Sequence, residues 1–332
     1  MIGNSFTDDA TEYIGEIVRH SNINAKKCCL YKATMGESQL QTWENKYKKN
    51  VPIVIERKAG LLSMDITEGT LKEIFHQHWD VISIQQLSRY SNNISSFSPY
   101  IDNLLSYIKQ DCLNDNVAIC WHLTWSYWNE YDATGPKGFS GWSSIVSTVD
   151  QIIQMYNIDM VIPSGTAIQN ARATELNTEK SLTRDGYHMD YGLGRYITAC
   201  TVYESLFEPF YKQSITDIIW HPQSINDTQA QMARSCVKNA VENWHNAPFI
   251  MSDSLEYSVF PNPTTDSIFV FLKSTDDMIS CSIYDINGKR VFKEKIPANN
   301  LHVIDISKLQ RGTYSIQFKG EKMVKTQRIE KL

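Results

Sequence analysis

Apolar positions from residue 1 to about 248 alternate between two periods, one that suits strands and one that suits helices. After Ser5, residues Ala10, Tyr13, Ile14, Ile17 and Val18 recur at helical spacing, with Asp8, Asp9 and Glu12 near the start, where the helix dipole favours acids. Residues 28–35 read as a strand and 39–49 as a helix. Residues 51–56 and 61–66 flank Lys58-Ala59-Gly60 and predict a hairpin. A helix over 71–78 then leads into a strand over 81–86, and residues 100–109, 117–125, 145–156 and 160–162 continue as helix, strand, helix, strand. This alternation predicts an α/β domain, a mostly parallel sheet covered by helices on both faces in three α/β/α layers. In such sheets reactive groups gather at the carboxyl ends of the strands.

From about Tyr257 the texture changes. Short apolar runs at 267–272, 279–284, 303–306 and 313–318 are separated by turn signals such as Asn287-Gly288 and Arg311-Gly312. Closely spaced short strands without helical period predict a small β-sandwich. The expected division is a first domain over 1–248, a linker over 249–258 and the sandwich over 259–332.

Composition narrows the function. A chain of 332 residues is long enough for two units. Its net charge of −5 and scattered lysines leave no sustained basic patch, which argues against a nucleic-acid partner. No apolar run approaches the ~20 residues of a membrane-spanning helix. Seven cysteines without a CxxC pair read as buried thiols or one or two bridges. Metal chemistry is not expected, because His76 and His78 stand two apart on a helical stretch and point away from each other. His122 reads as a hydrogen-bonded structural histidine. Glycine-rich phosphate loops are absent, and no cofactor is expected.

The candidate chemistry is nucleophilic. Ser5 lies in Ile2-Gly3-Asn4-Ser5-Phe6-Thr7, and Asp185-Gly186-Tyr187-His188 lies far downstream. A serine hydroxyl is a poor nucleophile near neutral pH; it needs an imidazole to take its proton and a carboxylate to fix the imidazole's tautomer. A sharp strand-to-helix turn would expose Ser5 at a strand end beside helix-start amides, and one loop could present both Asp185 and His188. Read separately, Ser5 also suits a helix N-cap, and the downstream segment a surface turn. A nucleophile turn of this kind normally follows a full strand, yet only Met1 and Ile2 precede Gly3; the chain is expected to begin late, and a signal peptide is not visible. Trp121, Trp125, Tyr127, Trp128, Tyr131 and Trp142 crowd one strand end and the loop after it. Many such aromatics belong to a core; Trp128 and Tyr131 are the candidates for contact with the apolar faces of a substrate's sugar rings.

Together these blocks resemble the SGNH (GDSL-type) hydrolases. Gly3-Asn4-Ser5-Phe6 is similar to the first block of that superfamily, Thr34-Met35-Gly36-Glu37-Ser38 to the second, and Asp185-Gly186-Tyr187-His188 to the last. The resemblance is to a Bacteroidetes branch of largely unknown function, whose third block reads like Ile84-Gln85-Gln86-Leu87-Ser88. It implies Ser5 as nucleophile, His188 as base, Asp185 as orienting acid, and the Ser5 and Gly36 amides as oxyanion donors. The wider superfamily has Gly-x-Asn-Asp in the third block, so Gln85 or Gln86 would supply the remaining donor. Alternation along a strand points these two to opposite faces, which leaves room for one.

The last segment has its own resemblance. Val259-Phe260-Pro261-Asn262-Pro263, Ile283-Tyr284-Asp285-Ile286-Asn287-Gly288-Lys289 and residues 306–314 are similar to the sorting domain of the Bacteroidetes type IX secretion system. That implies the secretion machinery as a partner and release or attachment at the outer surface. The expected activity is a secreted serine esterase acting on O-acyl, above all O-acetyl, groups of an acylated small molecule or glycan. The alternatives are a glycan-binding or adhesion protein on an SGNH scaffold, or a lipase or thioesterase.

Overall fold

The structure, a computed structural model, describes residues 1–60, 67–247, 257–260, 262–272, 278–297, 301–320 and 324–332. It divides into two compact units, Met1–Ala247 and Pro248–Leu332. Most of the expected linker over 249–258, and the expected strand over 61–66, lie outside the described residues.

The first unit runs β1 (Ile2–Gly3), α1 (Ser5–Thr11), α2 (Ile14–Arg19), β2 (Cys29–Thr34), α3 (Leu40–Lys48), β3 (Ile53–Val54), β4 (Glu56–Gly60), β5 (Glu68–Gly69), α4 (Leu71–Phe75) and β6 (Val81–Ile84). It continues α5 (Tyr100–Asp111), β7 (Ala118–His122), α6 (Gly138–Tyr156), β8 (Met160–Ile162), α7 (Ser164–Arg172), α8 (Leu193–Leu206), α9 (Glu208–Tyr211) and α10 (Asp227–Glu242). Strands β6, β7 and β8 pair in parallel, as do β1 and β2, so the unit is a mixed α/β domain with parallel sheet at its centre. β4 pairs antiparallel with β2, and β3 with β5. Lys58-Ala59-Gly60 is therefore strand and not a hairpin tip: its partner across the ladder is Cys29–Leu30, far away in sequence.

Other departures have identifiable causes. The helix expected after Ser5 breaks at Glu12 and Tyr13 into α1 and α2. The sequence pattern passes over α7 and α8, whose residues are buried almost throughout. A helix surrounded on all sides loses the apolar stripe that betrays it. α8 packs against α1, α2, α7 and α10 and forms the centre of the main core with Tyr196, Ile197, Cys200 and Tyr203. All seven cysteines are free, and six of them are buried.

The second unit holds two antiparallel sheets over one apolar core. β9 (Tyr257–Phe260), β10 (Ser267–Leu272) and β13 (Leu301–Asp305) form the smaller sheet; β11 (Met278–Tyr284), β12 (Arg290–Pro297), β14 (Gly312–Lys319) and β15 (Val324–Lys331) form the larger. Ile268, Val270, Ile279, Ile283, Ile316 and Phe318 fill the space, each fully buried. The Asn287-Gly288 signal closes the β11–β12 hairpin, with Gly288 at φ +76° and its amide donating to Asp285 at 3.0 Å. β12 and β15 escape the sequence pattern because half of the residues in each are charged and interrupt the apolar alternation.

Candidate active site

Asn4, not Ser5, is the N-cap of α1: its backbone is extended and its side-chain Oδ1 accepts from the Phe6 amide at 3.0 Å. Ser5 is the first helical residue, and its hydroxyl is free for another partner. The turn is tight enough to require glycine before it, since a Cβ on Gly3 would lie 2.8 Å from the Gln85 side-chain carbonyl carbon. Phe6 then plunges into the core, stacked on Trp125 at 4.2 Å with the rings 5° from parallel. Full burial of a side chain of that size stabilises by roughly 1.5–3 kcal/mol, which pins the turn from behind.

Asp185 and His188 sit at the tip of a loop whose ends are tied, Thr183 bridging to Met189 and the Asp190 amide donating to the Leu182 carbonyl at 2.9 Å. Gly186 makes the tip possible. Its φ is +101°, and a Cβ there would lie 2.5 Å from the ring of Tyr131. Within the tip, Asp185 Oδ1 accepts from the Tyr187 and His188 amides at 3.2 and 2.8 Å, and Oδ2 lies 2.7 Å from His188 Nδ1. The opposite ring nitrogen, Nε2, lies 2.9 Å from Ser5 Oγ. Burial works against a charged Asp185, but the bonds from the His188 ring and from the two amides outweigh it and hold the carboxyl below its ordinary range. An ionised Asp185 accepts the Nδ1 proton, which leaves the Nε2 lone pair facing the serine hydroxyl.

The second block lies against the first. The Met35 amide donates to the Gly3 carbonyl at 3.2 Å, Ser38 Oγ to the same carbonyl at 2.8 Å, and Asn4 Nδ2 to the Ser38 carbonyl at 3.0 Å. Ser38 closes a turn back to Met35 with Glu37 at φ +55°, so Gly36 occupies the turn's second position. Neither the Ser5 nor the Gly36 amide has an acceptor among the described residues. Nothing lies within 4 Å of the place where a Gly36 Cβ would stand, so this side of the turn is open.

The two glutamines bind neighbours around the turn. Gln86 gives its amide hydrogens to the Ser96 carbonyl and hydroxyl at 3.0 and 3.1 Å and accepts from Leu40 and Leu87. Gln85 faces the other way, as alternation requires: it donates to Asn4 Oδ1 at 2.8 Å and accepts from Thr7 Oγ1 and His122 Nδ1 at 2.7 and 2.9 Å. Both are buried, so Gln85 braces the capping asparagine from beneath and Gln86 ties β6 to the loop after it. His122 completes the layer. Burial pushes its pKa down to about 3, so the ring is neutral, donates from Nδ1 to the Gln85 carbonyl oxygen and accepts at Nε2 from Ser164, 2.9 Å away.

The aromatic loop after β7 props the loop that carries Asp185 and His188. The Trp128 amide donates to the Gly186 carbonyl at 2.7 Å and the Trp125 indole to the Tyr187 carbonyl at 2.6 Å. Tyr131 is half-buried and packs on Tyr187 with ring centroids 5.1 Å apart; Trp128 is half-buried as well. Arg172 fastens the base of this loop, bonding the Ser126 hydroxyl and carbonyl and the Ser181 carbonyl at 2.9 to 3.1 Å. Sequence reasoning missed Asn4, Thr7, Tyr187 and Arg172. Only Asn4 carried a signal, as an asparagine directly before a helical run. Among the described residues no group of three or more histidines, cysteines and carboxylates is placed to hold a metal ion. A cavity of about 360 Å³ opens at the amino ends of β2 and β6, beside Cys29, Tyr31, Trp79 and Val81, at the other end of the strands from Ser5.

Comparison with known proteins gives relatives without chemistry. A family model described as a domain of unknown function, DUF4886, matches residues 1–240. A second, described as a secretion system C-terminal sorting domain, matches residues 258–331. The crystal structure of a DUF4886 family protein from Bacteroides uniformis is similar at 27% identity with a TM-score of 0.66, over 74% of this chain and 95% of that one. A DUF3244 family protein with an immunoglobulin-like β-sandwich fold from Bacteroides vulgatus shares 20% identity over 25% of this chain and 90% of its own, with a TM-score of 0.22. No curated protein matches. The sorting domain marks the chain for type IX export to the cell surface or beyond it, and no helix among the described residues is long and apolar enough to cross a membrane.

Proposed function

The chain belongs to the DUF4886 family, and on that premise we propose that its first domain is a serine ester hydrolase that removes O-acyl groups, acetyl above all, from carbohydrates outside the cell. One observation carries the reading: a single imidazole lies 2.9 Å from Ser5 Oγ on one side and 2.7 Å from Asp185 on the other. Ser5 Oγ attacks the ester carbonyl while His188 Nε2 takes its proton, and Asp185 stabilises the imidazolium that forms. The Ser5 and Gly36 amides, both without acceptors among the described residues, receive the developing oxyanion. Collapse of the intermediate returns the proton from His188 to the leaving alcohol and leaves an acyl-serine. Water, deprotonated by the same histidine, then releases the acid and restores Ser5.

The carbohydrate half of the reading rests on Trp128 and Tyr131, half-buried beside the acid–base loop, and on a surface address that puts the enzyme among glycans. The test is acetate release from a panel of acetylated glycans, with p-nitrophenyl acetate as a generic ester, by the wild type and Ser5→Ala. Turnover by the wild type alone supports it; equal turnover by both removes Ser5 from the chemistry.

A further inference from the structure

Asp9 has no role in the chemistry above, yet it is fully buried and collects donors from three directions. The Met189 amide donates to its Oδ2 at 2.9 Å, Arg184 Nη1 reaches Oδ1 and Oδ2 at 3.0 and 3.2 Å, and Arg195 Nε reaches Oδ1 at 2.8 Å. Met189 directly follows His188. The Arg184 amide donates to the His188 carbonyl at 2.9 Å, and the Arg184 guanidinium also donates to the Met189 carbonyl, so the arginine grips both ends of the tip. Asp9 lies four residues after Ser5 on α1, one turn along the helix and about 6 Å by helical rise.

We propose that Asp9 is a positioning residue: through Met189 and Arg184 it fixes the loop that carries His188 and Asp185 at a set distance from the nucleophile on its own helix. The proposal rests on the reading of Ser5 as nucleophile and His188 as base. The turn between Ser5 and Asp9 is held at its start by the Thr7 and Asp8 amides on the Asn4 carbonyl, at 2.8 and 3.2 Å, and by the Thr11 hydroxyl on the Thr7 carbonyl at 2.8 Å. Asp9's neighbour Asp8 turns the other way and accepts from Thr34 Oγ1 at 2.8 Å, tying the same helix to the strand that leads into the Gly36 turn. One short helix thus locates the nucleophile, the base loop and the oxyanion turn relative to each other. Displacing a reacting group by about 1 Å costs on the order of 10²-fold in rate, and that is the loss expected when the Asp9 link is cut.

The experiment compares the full chain with Asp9→Asn, Asp9→Glu and the double variant Asp9→Asn with Arg184→Gln. The measurements are p-nitrophenyl acetate kinetics, thermal unfolding, and the low-field Nδ1 proton of His188 by NMR. The expected result for Asp9→Asn is a fall in kcat of about 10²-fold with KM within about twofold, and loss of the His188 signal. The double variant removes Arg184, one of the two arginines left without the carboxylate; it should regain part of the lost stability and not kcat. Asp9→Glu keeps the charge with a longer stem, should fold where Asp9→Asn does not, and should give an intermediate loss. Retention of kcat and of the His188 signal in Asp9→Asn overturns the proposal, and so does recovery of kcat in the double variant. Should wild type and Ser5→Ala turn over the ester equally, the hydrolase reading fails by itself. The His188 signal then decides the role of Asp9: its loss in Asp9→Asn supports the positioning role and its persistence refutes it.

Discussion

His188 Nε2 stands 2.9 Å from Ser5 Oγ although 183 residues separate the two in the chain. The ring is clamped on its other side by Asp185 and covered by Tyr187, whose ring centroid lies 3.9 Å from its own. Residues that act as one unit are non-additive: removing either partner disables the step that needs both. Ser5→Ala and His188→Ala should therefore each lower kcat on p-nitrophenyl acetate by several orders of magnitude, and the double variant should lose little more. Asp185→Asn should cost about 10⁴-fold by comparison with Ser-His-Asp enzymes, because an amide can leave the ring in the wrong tautomer. Equal and independent losses that multiply in the double variant would argue against a shared proton path.

The Gly36 turn allows the proposed oxyanion donor to be deleted without changing a side chain that packs. Gly36 sits at the second position of its turn, where proline's fixed φ is accommodated, and no atom lies within 4 Å of its Cβ direction. Gly36→Pro replaces the N–H by a ring carbon and so removes the donor. The expected outcome is a loss of about 10²- to 10³-fold in kcat at unchanged unfolding midpoint, whereas Gly36→Ala, which keeps the donor, should retain most of the rate. A fully active Gly36→Pro would show that this amide does not face the reacting carbonyl.

The central residues of the candidate site were more legible in the sequence than its supports. Ser5, Asp185 and His188 are reactive by residue type, and their short blocks point to one another through a resemblance that needs no coordinates. Gln85 and Gln86 look interchangeable in the chain; which of them meets Asn4 and which meets Ser96 is decided by strand direction and by neighbours ten or more residues away. Asp8 and Asp9 pose the same difficulty. Both read as acids favoured by a helix start, yet Asp8 reaches the surface beside Lys32 and Thr34, while Asp9 is buried under Arg184, from a loop 175 residues on, and Arg195, from α8. Helices α7 and α8 were silent for the opposite reason, being so deeply buried that no polar face marks their period.

Gln85 supports the nucleophile turn through Asn4, which makes the two testable as a pair. Asn4→Ala removes the α1 cap and should cost about 1 kcal/mol of stability, within a range of roughly 0.5–2. It also releases Gln85 Nε2 and the Ser38 carbonyl, so kcat should fall with it. Gln85→Leu should destabilise similarly by leaving Thr7, His122 and Asn4 without their shared partner, at about 1–3 kcal/mol. In the Asn4→Ala background its additional cost should be smaller, because the contact between them is already gone. Chemical denaturation of the two single variants and the double gives the coupling; strictly additive values would mean the bond at 2.8 Å contributes nothing.

His122 makes stability depend on pH in a window set by its burial. The folded chain holds the ring neutral, with its pKa pushed down to about 3, while an imidazole in the unfolded chain takes its proton near ~6.5. As pH falls the unfolded state therefore binds the proton first. The stabilisation is complete above about 6.5 and is lost progressively as pH drops toward about 3. Each unit in that window removes up to about 1.4 kcal/mol, so from pH 6.5 to 5 the loss from this one ring is about 2 kcal/mol. Carboxylates held low in the folded state, Asp185 among them, contribute in the same direction only nearer their own range, below about pH 4 to 5. Urea midpoints of the wild type and His122→Gln across pH 7.5 to 5 separate the two contributions. The glutamine can donate to Gln85 and accept from Ser164 but cannot titrate, so its curve should be flatter by about one proton. Parallel curves would mean that the imidazole is protonated alike in the folded and unfolded chains, and that the layer beneath Ser5 is not closed to the proton.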